Sequence, residues 1–378
     1  MNRVTWVFPG SFDKLLDSST WLETAEKLTD LGWQVTLAAC GFPAALQNTV
    51  FERKIVYRGN RYFIDYIAYI LRINRYLIWN ANNQQIVCFH DPMSVLFLAI
   101  SRNVLFRRYP KLLFDIRTVP METTKLRNLI RMLYDNINMR LGFFIADGIT
   151  TITERMAQYI YVPPKKFLGT WSSGVDLDLF RSAVEKRRWP NVESTLRFVY
   201  IGAIYEERNL LNFCEAIINI RKRGVQVEFS IVGDGPQRDE LEVFLDKRQA
   251  NCVKLLSQIP HDEIPSLLAE NHIGVLPFPD WPRFRVSSPI KLFEYMASGM
   301  PILATRIPCH TDVIQNSNFV FWAEDGSVEA LEEAIIKACQ HYEDLRSMGE
   351  MAQVEARKWT WKIAAKKLSR SLNELNSV

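Results

Sequence analysis

Cysteine is thinly spread through this chain. Cys40, Cys88, Cys214, Cys252, Cys309 and Cys339 lie far apart, with no Cys-x-x-Cys pair and no Cys/His cluster. That spacing argues against a disulfide framework and a zinc site, and it sets the expectation of a cytoplasmic protein. Long apolar runs are missing too. A bilayer span needs about 20 apolar residues; the longest candidates, 63–79 and 94–106, are broken by Asp65, Arg72, Arg75 and Arg102. Met1-Asn2-Arg3 leads straight into an apolar stretch at 4–8, so no signal peptide is expected. No strand-linked Gly-x-Gly-x-x-Gly opens either half, which argues against an NAD-linked dehydrogenase. Close repeats and low-complexity tracts are absent.

What remains is a folded, mixed chain. At 378 residues it exceeds the size at which one core stops growing, so two domains are expected. Hydrophobic content of 48% and charged content of 23% suit a globular protein. Formal net charge is only +4, yet residues 51–140 hold 15 Lys and Arg against six Asp and Glu. Aromatics are interleaved there: Tyr57, Tyr62, Phe63, Tyr66, Tyr69, Tyr76 and Trp79. A basic, aromatic stretch suits a peripheral site on an anionic membrane surface, at the cytoplasmic face. The competing explanation is a solvated face with snorkelling arginines. No nucleic-acid module is recognisable, so nucleic acid is not expected as a partner.

Strand-like and helix-like pieces alternate, which predicts α/β architecture with parallel sheets. In the first half, strands are expected at 4–8, 34–39, 86–89, 112–116 and 148–152. Ser18 and Ser19 should open a helix with Leu22, Ala25, Leu28 and Leu31 inward, stopped by Gly32. In the second half, strands are expected at 198–201, 227–232, 253–256, 273–276 and 301–304. The polar stretch 182–195 reads as a linker, giving domains 1–183 and 184–356. Residues 357–378 form a last amphipathic helix expected to pack back toward the first domain. Polar residues stand where strands end, the place such sheets bind ligands: His90, Asp115 and Arg117 in the first domain.

The segment Ser287-Ser288-Pro289-Ile290-Lys291-Leu292-Phe293-Glu294-Tyr295-Met296-Ala297-Ser298-Gly299 is the most informative. Ser288 suits an N-cap and Pro289 the first helical position. Ile290, Phe293 and Ala297 form an apolar stripe; Lys291 and Glu294 share a face; Gly299 stops the helix. Helix-end amides, then a cation, then a carboxylate suit a phosphate followed by a ribose. An ordinary amphipathic helix with a solvated Lys–Glu pair fits the segment equally well.

Four motifs occur in order: 198–202 ending at Gly202; Glu207-Arg208-Asn209-Leu210; Ile231-Val232-Gly233-Asp234-Gly235-Pro236; and the segment 288–305. Together they resemble the family-4 retaining glycosyltransferases (glycosyltransferase group 1 type). Ser172-Ser173-Gly174-Val175-Asp176 is similar to the segment that closes that family's first domain. The likeness covers nearly the whole chain, strongly in the second domain and loosely in the first. It implies the GT-B fold, two Rossmann-like domains with parallel sheets facing across a cleft whose closure excludes water. It implies a nucleotide-diphosphate sugar as donor and a glycan or lipid-linked acceptor, as in surface polysaccharide or glycoconjugate biosynthesis.

Carried over by position, Arg208 matches the family's basic residue on the donor diphosphate, with arginine for the usual lysine. Glu294 matches the glutamate that accepts from ribose hydroxyls. Lys291 is placed for a phosphate contact, and Gly202, Gly233, Ser287, Ser288 and Pro289 complete the donor side. The resemblance implies retention at the anomeric carbon and no required metal, since Arg208 and Lys291 neutralise the leaving diphosphate. On the acceptor side it points to Gly10 and Ser11 within loop 9–17, and to His90, Asp115 and Arg117, with His90 and Arg117 as candidates for catalysis.

The chain also departs from the pattern. Val286 stands where the first motif glutamate should fall, so Ser287 and Ser288 would have to hold the sugar and phosphate. Ala203 replaces a common basic residue, and Arg117 stands where many members have histidine. Val286 and Arg117 keep open a non-catalytic nucleotide-sugar-binding protein; an NDP-sugar epimerase or phosphorylase on the same fold is the other alternative, though the sequence does not place the acid/base carboxylates or cofactor lysine it needs.

Overall fold

The computed structural model describes residues 2–14, 18–44, 46, 49–59, 64–80, 85–104, 110–119, 126–191, 193–315 and 317–377, the side chains of 14 and 126–131 excepted. Tyr62, Phe63 and residues 15–17 of the expected acceptor loop lie outside this set. The chain divides into two compact units. One is Met1–Ser173 with Trp361–Val378; the other is Gly174–Thr360.

The first unit is built on a parallel sheet of seven strands: β1 (Arg3–Val7), β2 (Gln34–Ala39), β3 (Glu52–Ile55), β4 (Gln85–Phe89), β5 (Lys111–Ile116), β6 (Gly148–Thr151) and β7 (Phe167–Thr170). Their order is β3-β2-β1-β4-β5-β6-β7. The central strands β4 and β5 are buried along their whole length, as a sheet covered on both faces requires. The second unit has a parallel sheet of six: β8 (Leu196–Ile201), β9 (Val227–Val232), β10 (Val253–Leu256), β11 (Ile273–Leu276), β12 (Ile302–Thr305) and β13 (Val320–Ala323), in the order β10-β9-β8-β11-β12-β13. Both are Rossmann-like sheets. The order in which strands are added reverses between β1 and β4 in one and between β8 and β11 in the other, all strands staying parallel, and at such switch points these sheets open a ligand crevice.

Three strands lack a sequence forecast: β3, β7 and β13. Each is a sheet edge, and their burial is partial. β3 is mostly charged and β7 is broken by Gly169, so their signal is weak; β13 is apolar but only four residues long, too short for periodicity to mark.

The first helix, Ser19–Asp30, buries Trp21, Ala25 and Leu28, while Leu31 is exposed. The buried stripe is thus turned slightly from the expected one, because the large Trp21 ring takes the inward position. The stretch 182–195 is not a solvated linker. The helix Leu177–Lys186 runs through its start, and the chain crosses between units earlier, at Ser173/Gly174.

Arg187 is buried and makes three carbonyl contacts. It donates to Leu268 O at 2.8 Å, to Asn271 O, and to Ser298 O at 2.8 Å. Burial pulls its pKa down to about 9. It closes the carboxyl ends of the helices Ile264–Ala269 and Ile290–Ala297, whose last carbonyls have no partner within the helix. The final helix, Trp361–Ser377, packs on the first helix and on β7. There Trp33 Nε1 donates to Ser369 Oγ at 2.9 Å and Ser371 Oγ to Leu168 O at 2.9 Å.

Candidate functional site

The second unit gathers its polar residues where β8, β9 and β11 end. Gly202 follows β8 with φ +133°, a backbone region that L side chains rarely adopt. A Cβ there would sit 2.0 Å from Lys291 Cε, so the lysine stem lies directly on this glycine. Gly233 follows β9, and a Cβ on it would meet Gly202 O at 2.0 Å. The two glycines let two strand-end loops and the Lys291 stem pack directly on one another. Gly202→Ala should therefore cost about 1–3 kcal/mol of stability and displace Lys291. A thermal melt and a donor-turnover assay on the same preparation check both.

Arg208 follows in a short turn, Glu206–Arg208. Its guanidinium lies 4.8 Å from the Phe278 ring centroid and 5.4 Å from that of Phe284. Stacking on aromatic faces holds the planar group in place while leaving its edge free to bond. Among the described residues it has no carboxylate partner, and its Nε is buried without a hydrogen-bond acceptor. The nearby Arg283 takes Glu207 instead, at 3.5 Å. Burial pushes the Tyr200 phenol up to about 12, and Arg208 acts against that rise; Lys291 Nζ lies 6.0 Å from the same ring. Arg208, Lys291 and Gly202 therefore converge around Tyr200.

The helix that carries Lys291 runs Ile290–Ala297. Pro289 is its N-cap residue, with extended backbone (φ −73°, ψ 116°), so the helix opens one position later than the sequence pattern predicts. Its residues 292–297 are all buried, and only Ile290 and Lys291 are half-exposed. A solvated Lys–Glu pair on an amphipathic face is thereby excluded. Glu294 is 8% exposed and holds His261 Nε2 at 3.0 Å. His261 also packs edge-on to Phe180, with ring centroids 6.1 Å apart. Sequence reasoning missed His261; the signal that marks it is its place just after β10, on the ligand side of the sheet.

Ser287 is placed differently from expectation. Its amide donates to Phe284 O at 3.1 Å and its hydroxyl to the same oxygen at 3.0 Å. Both donors are engaged in a turn, so Ser287 reaches a ligand only as an acceptor or after rotating. Ser288 is half-buried beside it, and Val286 is 4% exposed. Beneath the site, His310 is fully buried, with Nδ1 2.8 Å from Thr305 O, and burial pushes its pKa down to about 4. It is neutral at physiological pH.

Asp176-Leu177-Asp178 spells an Asp-x-Asp, but its geometry is that of a helix cap. Asp176 accepts from the Asp178 amide at 2.9 Å, and Asp178 pairs with Arg181.

In the first unit the strand-end residues form a hydrogen-bonded network. His90 Nε2 accepts from the indole N–H of Trp6 at 2.9 Å and of Trp21 at 2.8 Å. Nδ1 then carries the proton and donates to Asp115 O at 2.7 Å. Both nitrogens are thus engaged, Nε2 with two buried tryptophans and Nδ1 with the Asp115 carbonyl, an arrangement that suits a structural role. Asp115 is fully buried, with Oδ1 accepting from Thr150 at 2.7 Å and from Trp171 Nε1 at 2.8 Å. Its Oδ2 is buried without a hydrogen-bond partner, 3.8 Å from His90 Nδ1. Arg117 stacks 3.6 Å over the Trp171 ring and donates to Trp171 O at 2.8 Å. Gly10 and Ser11 make a half-buried turn in which the Ser11 hydroxyl donates to Asp13.

The network makes a clear forecast. His90→Phe would strand two indole N–H groups, at about 1–3 kcal/mol each. A large fall in melting temperature is expected; unchanged melting with lost turnover would return His90 to the chemistry.

Comparison with known proteins adds independent information. Residues 195–341 match the family model described as glycosyl transferases group 1. The chain is 26% identical over 152 residues to an amylovoran biosynthesis glycosyltransferase of Erwinia amylovora, covering 40% of this chain and 37% of that protein. It covers less than half the length of the curated relatives it matches. Among solved structures, sucrose-phosphate synthase from Thermosynechococcus elongatus superposes with a TM-score of 0.77 over 100% of both chains at 13% identity. An Anabaena protein in complex with UDP-glucose superposes with a TM-score of 0.73, over 99% of this chain and 100% of that one, at 14% identity. The fold is GT-B, with two Rossmann-like domains.

Proposed function

We propose that this chain is a glycosyltransferase of the family-4 retaining type. It moves a sugar from a nucleotide-diphosphate sugar to a glycan or lipid-linked acceptor in surface polysaccharide or glycoconjugate biosynthesis. One observation carries this reading: Arg208, clamped on two phenylalanines, has a buried Nε without an acceptor beside Lys291 at a sheet switch point. A buried, unmatched cation edge is costly, and a bound diphosphate satisfies it. The group 1 match over 195–341 and the fold shared with a UDP-glucose complex agree with it.

In this reading Arg208, Lys291 and the first amides of the helix Ile290–Ala297 stabilise the charge that develops on the departing diphosphate. These groups are in place before reaction, so little reorganisation is needed as charge builds. Arg208 and Lys291 do the neutralising and no metal is required. Glu294, oriented by His261, accepts from the ribose hydroxyls. The acceptor attacks from the face the diphosphate leaves, assisted by the leaving phosphate, and configuration is retained. Val286 offers no hydrogen bond to the sugar, which leaves backbone groups around Ser287 and Ser288 to hold it. On the acceptor side, the turn at Gly10 and Ser11 and the edge of Arg117 remain candidates.

The test is a hydrolysis and transfer assay over UDP-, GDP-, ADP- and dTDP-sugars, with product anomers read by NMR. Transfer, or slow donor hydrolysis, with the α or β configuration preserved is expected. An isomerised donor would make the protein an epimerase. Tight binding without turnover would make it a non-catalytic nucleotide-sugar-binding protein.

A further inference from the structure

A cavity lies in the first unit, on the outer edge of its sheet. It has a volume of about 310 Å³ and sits between edge strand β3 and the helix Ile64–Trp79. Lys54, Tyr57, Arg72, Arg75, Tyr76 and Trp79 line it. Each cation lies over a ring: Lys54 Nζ is 5.0 Å from the Tyr76 centroid, Arg72 5.5 Å from Tyr57, and Arg75 4.7 Å from Trp79. Arg72 also donates to Tyr57 O at 2.9 Å. Among the described residues none of the three cations pairs with a carboxylate. Glu52, the acid nearest on β3, accepts instead from the Thr36 hydroxyl at 2.9 Å.

The surroundings narrow the ligand. Ile64, Ile67, Leu71 and Ile78 recur at helical spacing, are 61%, 43%, 55% and 37% exposed, and make one stripe along the same helix. That stripe runs beside Arg72 and Arg75, and Trp79 is 75% exposed at its end. The neighbouring helix Leu96–Val104, packed against this one, adds exposed Phe97, Ile100 and Val104. Of the 24 large hydrophobic residues exposed among the described residues, 15 lie between Val50 and Phe144. An exposed apolar stripe beside unpaired cations and an end-on tryptophan is the pattern of an element lying in a membrane interface. No helix among the described residues is long and apolar enough to cross a bilayer, so the contact would be superficial.

We propose that this cavity binds the phosphate of an anionic lipid headgroup, with the adjoining apolar stripe resting in the acyl boundary. The phosphate meets Lys54, Arg72 and Arg75. Trp79 and Tyr57 sit at headgroup depth. This inference stands on charge and exposure in the first unit and does not depend on the donor site.

The test is sedimentation of the full chain with vesicles of phosphatidylcholine alone and of phosphatidylcholine mixed with phosphatidylglycerol. Binding to the anionic vesicles, weakened by salt, is expected. Each lost cation should lower the partition coefficient about fivefold. The triple variant Lys54→Gln/Arg72→Gln/Arg75→Gln should fall about a hundredfold, with its melting curve unchanged. Trp79→Ser is the second variant: it keeps all charge and should also bind less. Wild-type protein that ignores both vesicle types, or binds both alike, overturns the proposal. So does a triple variant that binds as well as wild type. Inorganic phosphate that raises the wild-type melting temperature without any vesicle binding would assign the cavity to a soluble anion instead. Self-association lost in Trp79→Ser, again without vesicle binding, would assign the face to a second copy. Donor hydrolysis in the same preparations reports the other site, so failure of either reading is seen separately.

Discussion

Glu294→Ala is expected to lower kcat/KM for nucleotide-sugar turnover about 100-fold while the protein still folds. The carboxylate is buried on a helix whose neighbours are nearly all buried, and it meets His261 at 3.0 Å. A hydrogen bond to a charged acceptor contributes about 1.5–3 kcal/mol. Losing two such bonds to a ribose removes at least about 3 kcal/mol, or two powers of ten. Glu294→Gln keeps the volume and an oxygen for His261, so it should lose only about tenfold. Grading between the two variants distinguishes ligand recognition from packing, because both conserve the helix but only alanine empties the position. Near wild-type turnover in the alanine variant would remove the ribose assignment.

Arg208→Ala is expected to lower kcat by about 10²–10³, the size of effect seen when one preorganised charge stabiliser is removed. Stability should hardly change. The variant forfeits two cation–ring contacts worth about 0.5–1 kcal/mol each at partly exposed sites. It also removes a buried Nε that has no acceptor, and the two effects oppose each other. Arg208→Lys restores charge without the planar stack or the fork of donors, so partial recovery is expected. Steady-state kinetics with donor alone, beside a thermal melt, separates these outcomes. Full activity in Arg208→Ala would sink the proposed site at its centre.

The central strands and the helix Ile290–Ala297 were readable from residue order because they announce themselves locally. Strands covered on both faces, such as β4, β5 and β8, appear as continuous apolar runs. β3, largely charged, and β7, broken by Gly169, do not, and the apolar β13 is only four residues long. Candidate residues divide in the same way. Gly202, Arg208, Lys291 and Glu294 stand on positions that ordered motifs can mark. His90 and Asp115 were marked by standing at strand ends and Arg117 also by its place in the family pattern, and a strand-end position cannot tell a ligand-facing group from one that pairs with buried indoles. His90 serves Trp6 and Trp21, which are distant in sequence from it, and nothing near His90 in the chain reveals them.

Residue order alone therefore determined two tandem parallel α/β units and a cation and a carboxylate on one short helix beside two strand-end glycines. Tertiary structure decided which polar groups are spoken for. It stacked Arg208 on Phe278 and Phe284, gave Glu294 its histidine, engaged both Ser287 donors in a turn, and tied up His90 and one oxygen of Asp115. Periodicity reports how one element is buried. Hydrogen bonds and ring contacts form between elements far apart in the chain, so their partners exist only once the sheet order has brought those elements together.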